Sequence, residues 1–372
     1  MSLRMCYKKP MNLYYVADKI SPKQYSQFGY LRDLIGEFTA RYMDKEDFNI
    51  MIFSPSSSSK RLQKEFAIGK HRIARSRTPK IISSMMHQYL KTPLRIFDKG
   101  SIVHCFDNPA IRTSKPVKKI FEPISAKKYI IPNIFNKQVE LFSSIKDIAK
   151  CDVVVAHTQH IAEELSSKLF IESDRIRIIP RAVEPKIDKD HKSTLKLPNK
   201  YFLFLGRIEK YKNIERFVKA FSFWAPKDTY IVFAGDSQNR SFSNKIRKFS
   251  SQLLGDKVIF TGYLKKQDLW LAIKEATAVF DPSYVNDFPE TILEAQAIGT
   301  PTIVSDIISH KETCKDTTLY FNPLCEKSMM SAMDGVIDKK VQEALIKKGK
   351  NNSLSFTWDE VIPLYKDLYN SI

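Results

Sequence analysis

The feature that most constrains the fold of this chain is a regular alternation of short apolar segments with longer amphipathic ones. Residues 11–17, 49–53, 101–106 and 152–156 are apolar and short enough to form buried strands. Residues 29–42 place apolar side chains at helical spacing between two of these segments. Strands that alternate with helices form parallel sheets whose faces the helices cover. The first half of the chain is therefore predicted to be an α/β domain.

The same alternation begins again at residue 201. Strand-like segments at residues 201–205, 230–234 and 278–280 alternate with amphipathic ones, of which residues 214–223 and 290–298 are clear helix candidates. At 372 residues the chain also exceeds the usual size of a single hydrophobic core. We therefore predict a second α/β domain.

A polar, charged stretch separates the two series. Residues 185–200 contain two prolines and lack the apolar periodicity of a strand or helix, which is typical of a linker. This stretch divides the chain into a first domain over residues 1–184 and a second over residues 201–355, and a last amphipathic segment follows at residues 356–372. Two α/β domains joined by a linker enclose a cleft, which is a common place for a ligand.

The charge of the chain restricts its partners. Its 60 Lys and Arg against 41 Asp and Glu leave a net charge of +19, which favours nucleotide phosphates, nucleic acid or an acidic membrane surface. The five cysteines are scattered without zinc-ligand spacing, as expected in a reducing cytosol. No signal peptide and no run of roughly 20 apolar residues is present. We expect a cytoplasmic protein that is soluble or peripheral on the inner face of the cell membrane.

Two cations follow the first strand of the second domain. Gly206 and Arg207 end that strand, and Lys212 lies just before the next helix. Arg207 can bind two phosphate oxygens at once, and Lys212 can add a point charge. The alternative is that both are solvated surface cations in a Lys-rich protein.

One carboxylate lies in an apolar helix of the same domain. Glu294 follows Ile292 and Leu293 in the helix predicted at residues 290–298, and a carboxylate there is costly to bury without a partner. Backbone N–H groups at the start of a helix bind anions or hydroxyls. Together they predict a pocket in which loop amides hold a polar ligand and Glu294 accepts hydrogen bonds from hydroxyls.

Seven motifs occur in a fixed order in the second half of the chain and at its end. They are F-L-G-R-I-E-K-Y-K-N (204–213), V-F-A-G-D-S (232–237), F-T-G-Y-L (260–264), D-P-S (281–283), N-D-F-P-E-T-I-L-E-A (286–295), G-T-P-T-I-V-S-D (299–306) and F-T-W-D (356–359). In order and spacing they resemble the retaining glycosyltransferases of group 1, family 4. The resemblance implies the GT-B fold, in which two Rossmann-like domains face a cleft and the C-terminal helix, here residues 356–372, packs back on the first domain.

The resemblance also implies roles for individual residues. Arg207 and Lys212 would neutralise the diphosphate of a nucleotide-sugar donor, and Glu294 would accept hydrogen bonds from its ribose. A glycine near the first strand would let the backbone approach the phosphates, although Gly29 is equally explained as the start of a helix. The other donor-binding positions that the resemblance implies are Gly29, Gly206, Tyr263, Leu264, Asn286, Asp287, Phe288, Pro289, Glu290 and Thr291.

The chain departs from the family pattern at two positions. The family usually has a glutamate eight residues before Glu294, where this chain has Asn286. Asp287 or Glu290 could compensate, or the donor could differ. Many relatives also have a histidine near the reacting carbon, where this chain has Glu122, which is either a catalytic hydrogen-bonding group or an ordinary loop carboxylate.

The mechanism that the resemblance implies is transfer with retention. Arg207 and Lys212 would stabilise the departing diphosphate as its charge develops. No carboxylate pair resembles that of a retaining hydrolase. The fold needs no D-x-D metal motif, so we expect no essential metal and no cofactor besides the nucleotide-sugar substrate.

A basic segment in the first half predicts a further partner. Residues 60–80 contain eight Lys or Arg and one acidic residue, Glu65, with apolar side chains between them. The segment is either an interfacial surface for anionic lipid or a solvated basic loop.

Three functions follow from these observations. The first is a retaining, metal-independent hexosyltransferase that moves a sugar from a nucleotide-diphosphate sugar to a glycan or lipid-linked acceptor, in surface polysaccharide or glycolipid synthesis. The second is an inactive GT-B partner protein, which the departures at Asn286 and Glu122 favour. The third is a nucleic-acid-binding protein, which the charge favours but which lacks any helix-turn-helix, zinc or RNA-binding signature. We expect no nucleic-acid partner.

Overall fold

The chain forms two compact units. The computed structural model describes residues 11–17, 25–42, 48–53, 72–73, 97–106, 113–123, 125–126, 130, 141–193, 195–237 and 239–372. The first unit comprises Met1–Ala156, Ala162–Ile179 and Ile362–Ile372, and the second comprises His157–Ile161 and Pro180–Val361.

The first unit contains a parallel sheet with seven strands among the described residues. Its strand order is β3-β2-β1-β4-β5-β6-β7. The strands are β1 (Met11–Ala17), β2 (Phe48–Phe53), β3 (Arg72–Ile73), β4 (Ile102–Phe106), β5 (Lys118–Glu122), β6 (Val153–Ala156) and β7 (Ile176–Ile178). The helices are α1 (Tyr25–Tyr42), α2 (Leu141–Ile148) and α3 (Gln159–Leu169), of which α3 begins in the second unit. Every residue of β4 and of β6 is buried, as expected of central parallel strands covered on both faces.

The second unit contains a parallel sheet of six strands within its described residues. Its strand order is β10-β9-β8-β11-β12-β13. The strands are β8 (Tyr201–Leu205), β9 (Tyr230–Ala234), β10 (Val258–Gly262), β11 (Ala278–Asp281), β12 (Thr302–Ser305) and β13 (Leu319–Phe321). The helices are α4 (Ile214–Trp224), α5 (Arg240–Leu254), α6 (Lys266–Glu275), α7 (Glu290–Ile298), α8 (Ile308–Cys314), α9 (Glu326–Ile337), α10 (Lys339–Ser353) and α11 (Trp358–Asn370), whose residues from Ile362 onward belong to the first unit.

The core of the second unit has two faces because successive side chains of a strand point to opposite sides of the sheet. On one face Phe280 stacks on Phe217 with ring centroids 3.6 Å apart. On the other face Leu203, Val279 and Trp270 lie in one apolar cluster. Aromatic and β-branched residues thus fill both sides of β8 and β11, which fixes these two strands at the centre of the sheet.

The order of the strands locates the topological switch point of this sheet. From β8 the chain continues to β9 and β10 on one side, whereas from β11 it continues to β12 and β13 on the other. Parallel α/β sheets bind ligands outside the carboxyl ends of the strands at such a point. The edge formed by the carboxyl ends of β8 and β11 is therefore where a site is expected.

The predicted α/β class, with a parallel sheet in each of two units, is confirmed, but several elements differ from prediction. Strands β3, β5 and β13 and helices α2, α8, α9 and α10 are not among the predicted elements. Strands β3 and β13 have only two and three residues, and β5 begins with two lysines, of which Lys118 is exposed. Helix α1 begins at Tyr25, so Gly29 lies inside it rather than in a loop. Nothing lies within 4 Å of where its Cβ would be, so no close backbone approach requires glycine there.

The stretch predicted as a linker packs on the second unit. The backbone N–H of Asp188 donates to the side chain of Gln267 at 2.9 Å, and His191 lies 2.9 Å from Asp268 on α6. Ile187, Leu195 and Leu197 also contact the apolar cluster beneath α6. Residues 185–200 thus form a strap on that helix.

Candidate functional site

Three glycines leave the backbone bare at the carboxyl ends of three adjacent strands. Gly206, Gly235 and Gly262 follow or end β8, β9 and β10 and have φ angles of +132°, +146° and +70°. A Cβ on Gly235 would lie 1.9 Å from the carbonyl oxygen of Gly206, so no other residue fits. Because glycine is scarce in this chain, with 11 residues in 372, this grouping marks an edge where the backbone itself can approach a ligand.

The two cations predicted to bind phosphate differ in their surroundings. Arg207 is exposed, and its guanidinium makes no hydrogen bond or ion pair with any residue that the structure describes. The side chain of Lys212 is only 13% exposed, and its ammonium lies 3.6 Å from a carboxylate oxygen of Asp281. The charge of Lys212 is therefore compensated in part, whereas that of Arg207 is available to an anion.

Lys212 belongs to a polar group at the switch point that we call the strand-end cluster, composed of Lys212, Asp281, Ser283, Asn286 and His310. Asp281 ends β11 and is 3% exposed. One of its oxygens accepts hydrogen bonds from the backbone N–H (3.1 Å) and hydroxyl of Ser283, and the other accepts from the amide of Asn286 at 3.0 Å. The same amide nitrogen lies 3.2 Å from His310 Nε2.

His310 is fixed from its other side by the end of β12. Its Nδ1 lies 2.9 Å from the carbonyl oxygen of Ser305, so this nitrogen carries the proton and donates. The hydroxyl of Ser305 in turn donates to the carbonyl oxygen of Ser283 at 2.6 Å. The ends of β11 and β12 are thus joined through side chains as well as through the sheet.

Burial and charge set the ionisation of the cluster. Burial alone would raise the pKa of Asp281, but the nearby charge of Lys212, the proximity of His310 and the Ser283 hydrogen bonds bring it below its ordinary value. Burial lowers the pKa of His310, although Asp281 opposes that shift. Asp281 is therefore ionised and His310 neutral near pH 7.

Glu294 has the partner that its apolar setting requires. It lies on α7, whose neighbouring residues Ile292 and Leu293 are fully buried. The indole N–H of Trp270 donates to Glu294 Oε1 at 3.3 Å. The carboxylate remains partly exposed, so it can still accept hydrogen bonds from a ligand.

A buried arginine that the sequence did not single out lies at the start of the same helix. Arg181 Nη1 lies 3.4 Å from Glu290 Oε2, and the arginine side chain is 9% exposed. Nearby, the rings of Phe288 and His157 are 6.2 Å apart, edge to face. Arg181 is the one charged residue in residues 180–183, and a single charge does not predict its pairing with Glu290.

The remaining predicted donor positions lie on the same unit. Tyr263 is 53% exposed just beyond β10, whereas Leu264 is buried against the cluster that contains Trp270. Asp287 and Thr291 are partly exposed before and within the first turn of α7. Phe288 and Pro289 are buried, so their contact with a ligand would be through the backbone.

Glu122 is the predicted residue whose surroundings least fit its role. It ends β5, is 2% exposed, and accepts a hydrogen bond from the hydroxyl of Tyr365 at 2.9 Å. His104 Nε2 lies 3.2 Å from the same oxygen, and His104 Nδ1 lies 2.8 Å from the hydroxyl of Tyr369. Because these partners enclose the carboxylate, its surroundings favour the alternative of a structural carboxylate, which anchors α11 within the first unit.

Two further tyrosines extend this group, which we call the tyrosine cluster. Tyr369 donates to the hydroxyl of Tyr15 at 3.1 Å, and the hydroxyls of Tyr30 and Tyr365 are 3.3 Å apart. The cluster therefore comprises Tyr15, Tyr30, His104, Glu122, Tyr365 and Tyr369.

Within the described residues no three His, Cys, Asp or Glu side chains are placed to hold a metal ion. No helix in that part of the chain is both long and apolar enough to span a bilayer. The basic segment at residues 60–80 lies outside the described residues, except for strand β3.

The chain is similar to known glycosyltransferases in sequence and in fold. Residues 186–352 match the family model of glycosyl transferases group 1. The chain is 27% identical to an O-antigen chain mannosyltransferase of Salmonella typhimurium over 56% of this chain and 58% of that one. It is 24% identical to a D-inositol 3-phosphate glycosyltransferase of Acidothermus cellulolyticus over 59% of this chain and 54% of that one. The alignments thus span little more than half the length of these relatives.

A solved structure shares the fold over nearly the whole chain. HepE from Anabaena, solved in complex with UDP and glucose, superposes with a TM-score of 0.74 at 12% identity, over 97% of this chain and all of that one.

Proposed function

We propose, from the match of residues 186–352 to the family model of glycosyl transferases group 1, that this protein transfers a sugar from a nucleoside diphosphate sugar to a glycan or lipid-linked acceptor. The observation that carries the proposal is the carboxyl edge of the second sheet, where three bare glycines lie at the ends of β8, β9 and β10 and the uncompensated charge of Arg207 lies beside the switch point. Phosphates are bound at such edges by backbone N–H groups and a forked cation.

In this proposal the diphosphate lies against the carboxyl end of β8. Arg207 binds two phosphate oxygens, and the backbone beyond Gly206 approaches them closely because no side chain intervenes. Lys212 adds a second positive charge from its place beside Asp281. Both cations stabilise the charge that develops on the diphosphate as the bond to the sugar breaks.

The nucleoside and the sugar extend to the neighbouring elements. Glu294, oriented by the indole of Trp270, accepts hydrogen bonds from the ribose hydroxyls. Tyr263 lies near the base. The backbone at residues 288–291 and the amide of Asn286 hold the transferred sugar.

Retention of the anomeric configuration is part of the proposal. The departing phosphate accepts the proton of the attacking hydroxyl, so no protein nucleophile and no metal ion take part. A hexose, with mannose as one candidate, is the transferred sugar, and support for it comes from the name of the Salmonella relative. The donor base remains open among uridine, guanosine and adenosine, and the UDP complex of HepE favours testing uridine first.

Surface polysaccharide or glycolipid synthesis is the proposed setting, with the protein in the cytoplasm or peripheral on the inner face of the membrane. The O-antigen relative supports this setting, and the net charge of +19 suits an anionic membrane surface. Sedimentation with vesicles tests the membrane part, because equal binding to neutral and anionic lipid would exclude a role for the basic residues 60–80.

Thermal shifts with nucleotides test the donor site. UDP, GDP, ADP and their sugar conjugates are added to the wild type and to Arg207→Ala, at increasing concentrations. A ligand at about 100 times its Kd stabilises the folded protein by roughly 2.7 kcal/mol. We expect one nucleotide family to shift the wild type and Arg207→Ala to lose most of the shift.

Assays of sugar release and of sugar transfer to an acceptor extract distinguish an active enzyme from an inactive partner protein, which is the alternative that Asn286 favours. Nucleotide binding without turnover would support the inactive partner. A folded wild type that binds no nucleotide would exclude both.

A further inference from the structure

The amide of Asn286 is held in one orientation by two acceptors. Its nitrogen lies 3.0 Å from Asp281 Oδ2 and 3.2 Å from His310 Nε2. The His310 nitrogen accepts, because Nδ1 of the same ring donates to the carbonyl of Ser305. An amide has two N–H bonds and one oxygen, so both N–H bonds are engaged and the oxygen faces away from Asp281 and His310.

The reverse orientation is unfavourable for a physical reason. It would place the amide oxygen beside the ionised carboxylate of Asp281 and the lone pair of His310 Nε2, in a setting where both neighbours are buried. Unmatched polar groups of this kind cost about 1–3 kcal/mol each. Asn286 itself is partly exposed, so its outward oxygen is within reach of a ligand.

We infer that Asp281 and His310 are positioning residues of the donor site, which turn the oxygen of Asn286 outward as a fixed acceptor for a hydroxyl of the transferred sugar. The inference rests on the proposed function, since it assigns the sugar-facing part of that same site. Asp281 and His310 themselves contact no substrate and act through Asn286. Asp281 has a second task, because it also holds the ammonium of Lys212 at 3.6 Å.

The same arrangement explains why an amide serves at position 286 instead of a carboxylate. A carboxylate there would lie about 3 Å from the buried charge of Asp281, and like charges at such a distance cannot both stay ionised without a large penalty. Asn286 offers a hydroxyl the same acceptor without that repulsion. Asn286→Asp should therefore impair the site rather than improve it.

Two substitutions of His310 separate positioning from mere packing. His310→Leu removes the acceptor that faces Asn286, whereas His310→Gln can keep an acceptor there. Calorimetry is used to measure Kd for the nucleoside diphosphate and for its sugar conjugate, with UDP, GDP and ADP as probes. Asn352→Ala on α10 is the matched control, because it removes two buried hydrogen bonds, to Gln296 and to the backbone of Thr313, away from the cluster.

We expect His310→Leu to weaken binding of the nucleotide sugar about 5- to 10-fold, as for one lost hydrogen bond of roughly 1 kcal/mol. Its Kd for the nucleoside diphosphate alone should stay within a factor of two of the wild type. His310→Gln should recover most of the loss, and Asn352→Ala should change neither Kd. Asp281→Asn should weaken both ligands, because Lys212 is released as well.

Asn286→Ala provides a test that does not depend on a buried substitution. It should show the same selective loss as His310→Leu, and the double variant should lose no more than either alone, since both act through one amide. Equal weakening of both ligands in His310→Leu, or additive losses in the double variant, would overturn the inference. A wild type that binds none of the probes would instead contradict the proposed function.

Discussion

Each of the two units places a buried histidine beside a buried carboxylate, yet the two pairs have different surroundings. In the tyrosine cluster His104 and Glu122 are enclosed by phenol hydroxyls from β1, α1 and α11. In the strand-end cluster His310 and Asp281 reach Lys212 and Asn286, which are partly exposed at the switch point of their sheet. In the first unit all partners of the buried carboxylate are themselves buried, so the pair contributes to packing. In the second unit the partners reach the edge of the sheet, where a ligand can contact them.

The largest effect on stability is expected from opening the tyrosine cluster. Glu122→Ala leaves the hydroxyl of Tyr365 without its buried acceptor and removes the carboxylate that lies 3.2 Å from His104 Nε2, which should lower the free energy of unfolding by about 3 kcal/mol. Urea unfolding followed by fluorescence measures the change. Nucleotide binding by the folded variant should be unaffected, and a selective loss of nucleotide affinity would return Glu122 to the site.

The largest effect on the donor is expected from Arg207. Its removal should lower kcat/KM for the nucleotide sugar about 100-fold, or roughly 2.7 kcal/mol, because it takes away an uncompensated charge at the phosphate edge. The melting temperature of Arg207→Ala without ligand should equal that of the wild type, since its guanidinium has no partner in the described part of the chain. A drop in stability without a kinetic loss would reverse this assignment.

Substitution of Lys212 should lower both the stability of the protein and its affinity for the diphosphate. Lys212→Met leaves Asp281 buried without its cation, so we expect a loss of about 1–2 kcal/mol of stability together with weaker diphosphate binding. Arg207→Ala is the matched control for the loss of a cation at the same edge. Unchanged stability in Lys212→Met would show that Asp281 does not depend on this ion pair.

The free energy of unfolding should depend on pH through His310, and the pKa of His310 gives the direction of that dependence. The pKa of His310 is lowered by burial, so below its ordinary value of about 6.5 the unfolded chain binds a proton that the folded protein does not. Stability should therefore fall as the pH drops below that value. The charged groups that face the His310 ring are Asp281 and Lys212. Urea unfolding at pH 7.5 and 5.5 should show a smaller difference for His310→Gln than for the wild type, and an equal difference would contradict a depressed pKa.

The smallest effect is expected from a single hydroxyl of the tyrosine cluster. Tyr369→Phe removes the hydrogen bonds to His104 and Tyr15 while keeping the ring, which should cost about 1 kcal/mol. The free energy of unfolding measures it. No change at all would indicate that Tyr369 contributes through ring packing alone.

The sequence predicts the fold, which the structure confirms, and it indicates the edge proposed as the site, but it does not predict which side chains contact one another there. The alternation of strands and helices predicts parallel sheets, because period and length are local properties of the chain. Glu294 and Arg207 stand out because each follows or lies within a recognisable motif. The contact between Asp281 and His310 is not visible in the sequence, because 29 positions separate them and the pairing of β11 with β12 brings them together.

Glu122 shows the opposite limit of sequence reasoning. Its place near a strand end fits a catalytic group and a structural carboxylate equally well, and its burial favours the structural role. That burial comes from Tyr365, which lies 243 positions further along the chain. No local pattern contains such a contact.

The central claim is that the carboxyl edge of the second sheet binds the nucleotide sugar. Hydrogen exchange with and without the nucleotide sugar that gives the largest thermal shift tests it most directly. We predict protection in peptides that cover residues 204–213 and 281–294, little change in peptides that cover residues 102–122, and loss of the protection in Arg207→Ala. Protection confined to the first unit, or unchanged in Arg207→Ala, would contradict the account.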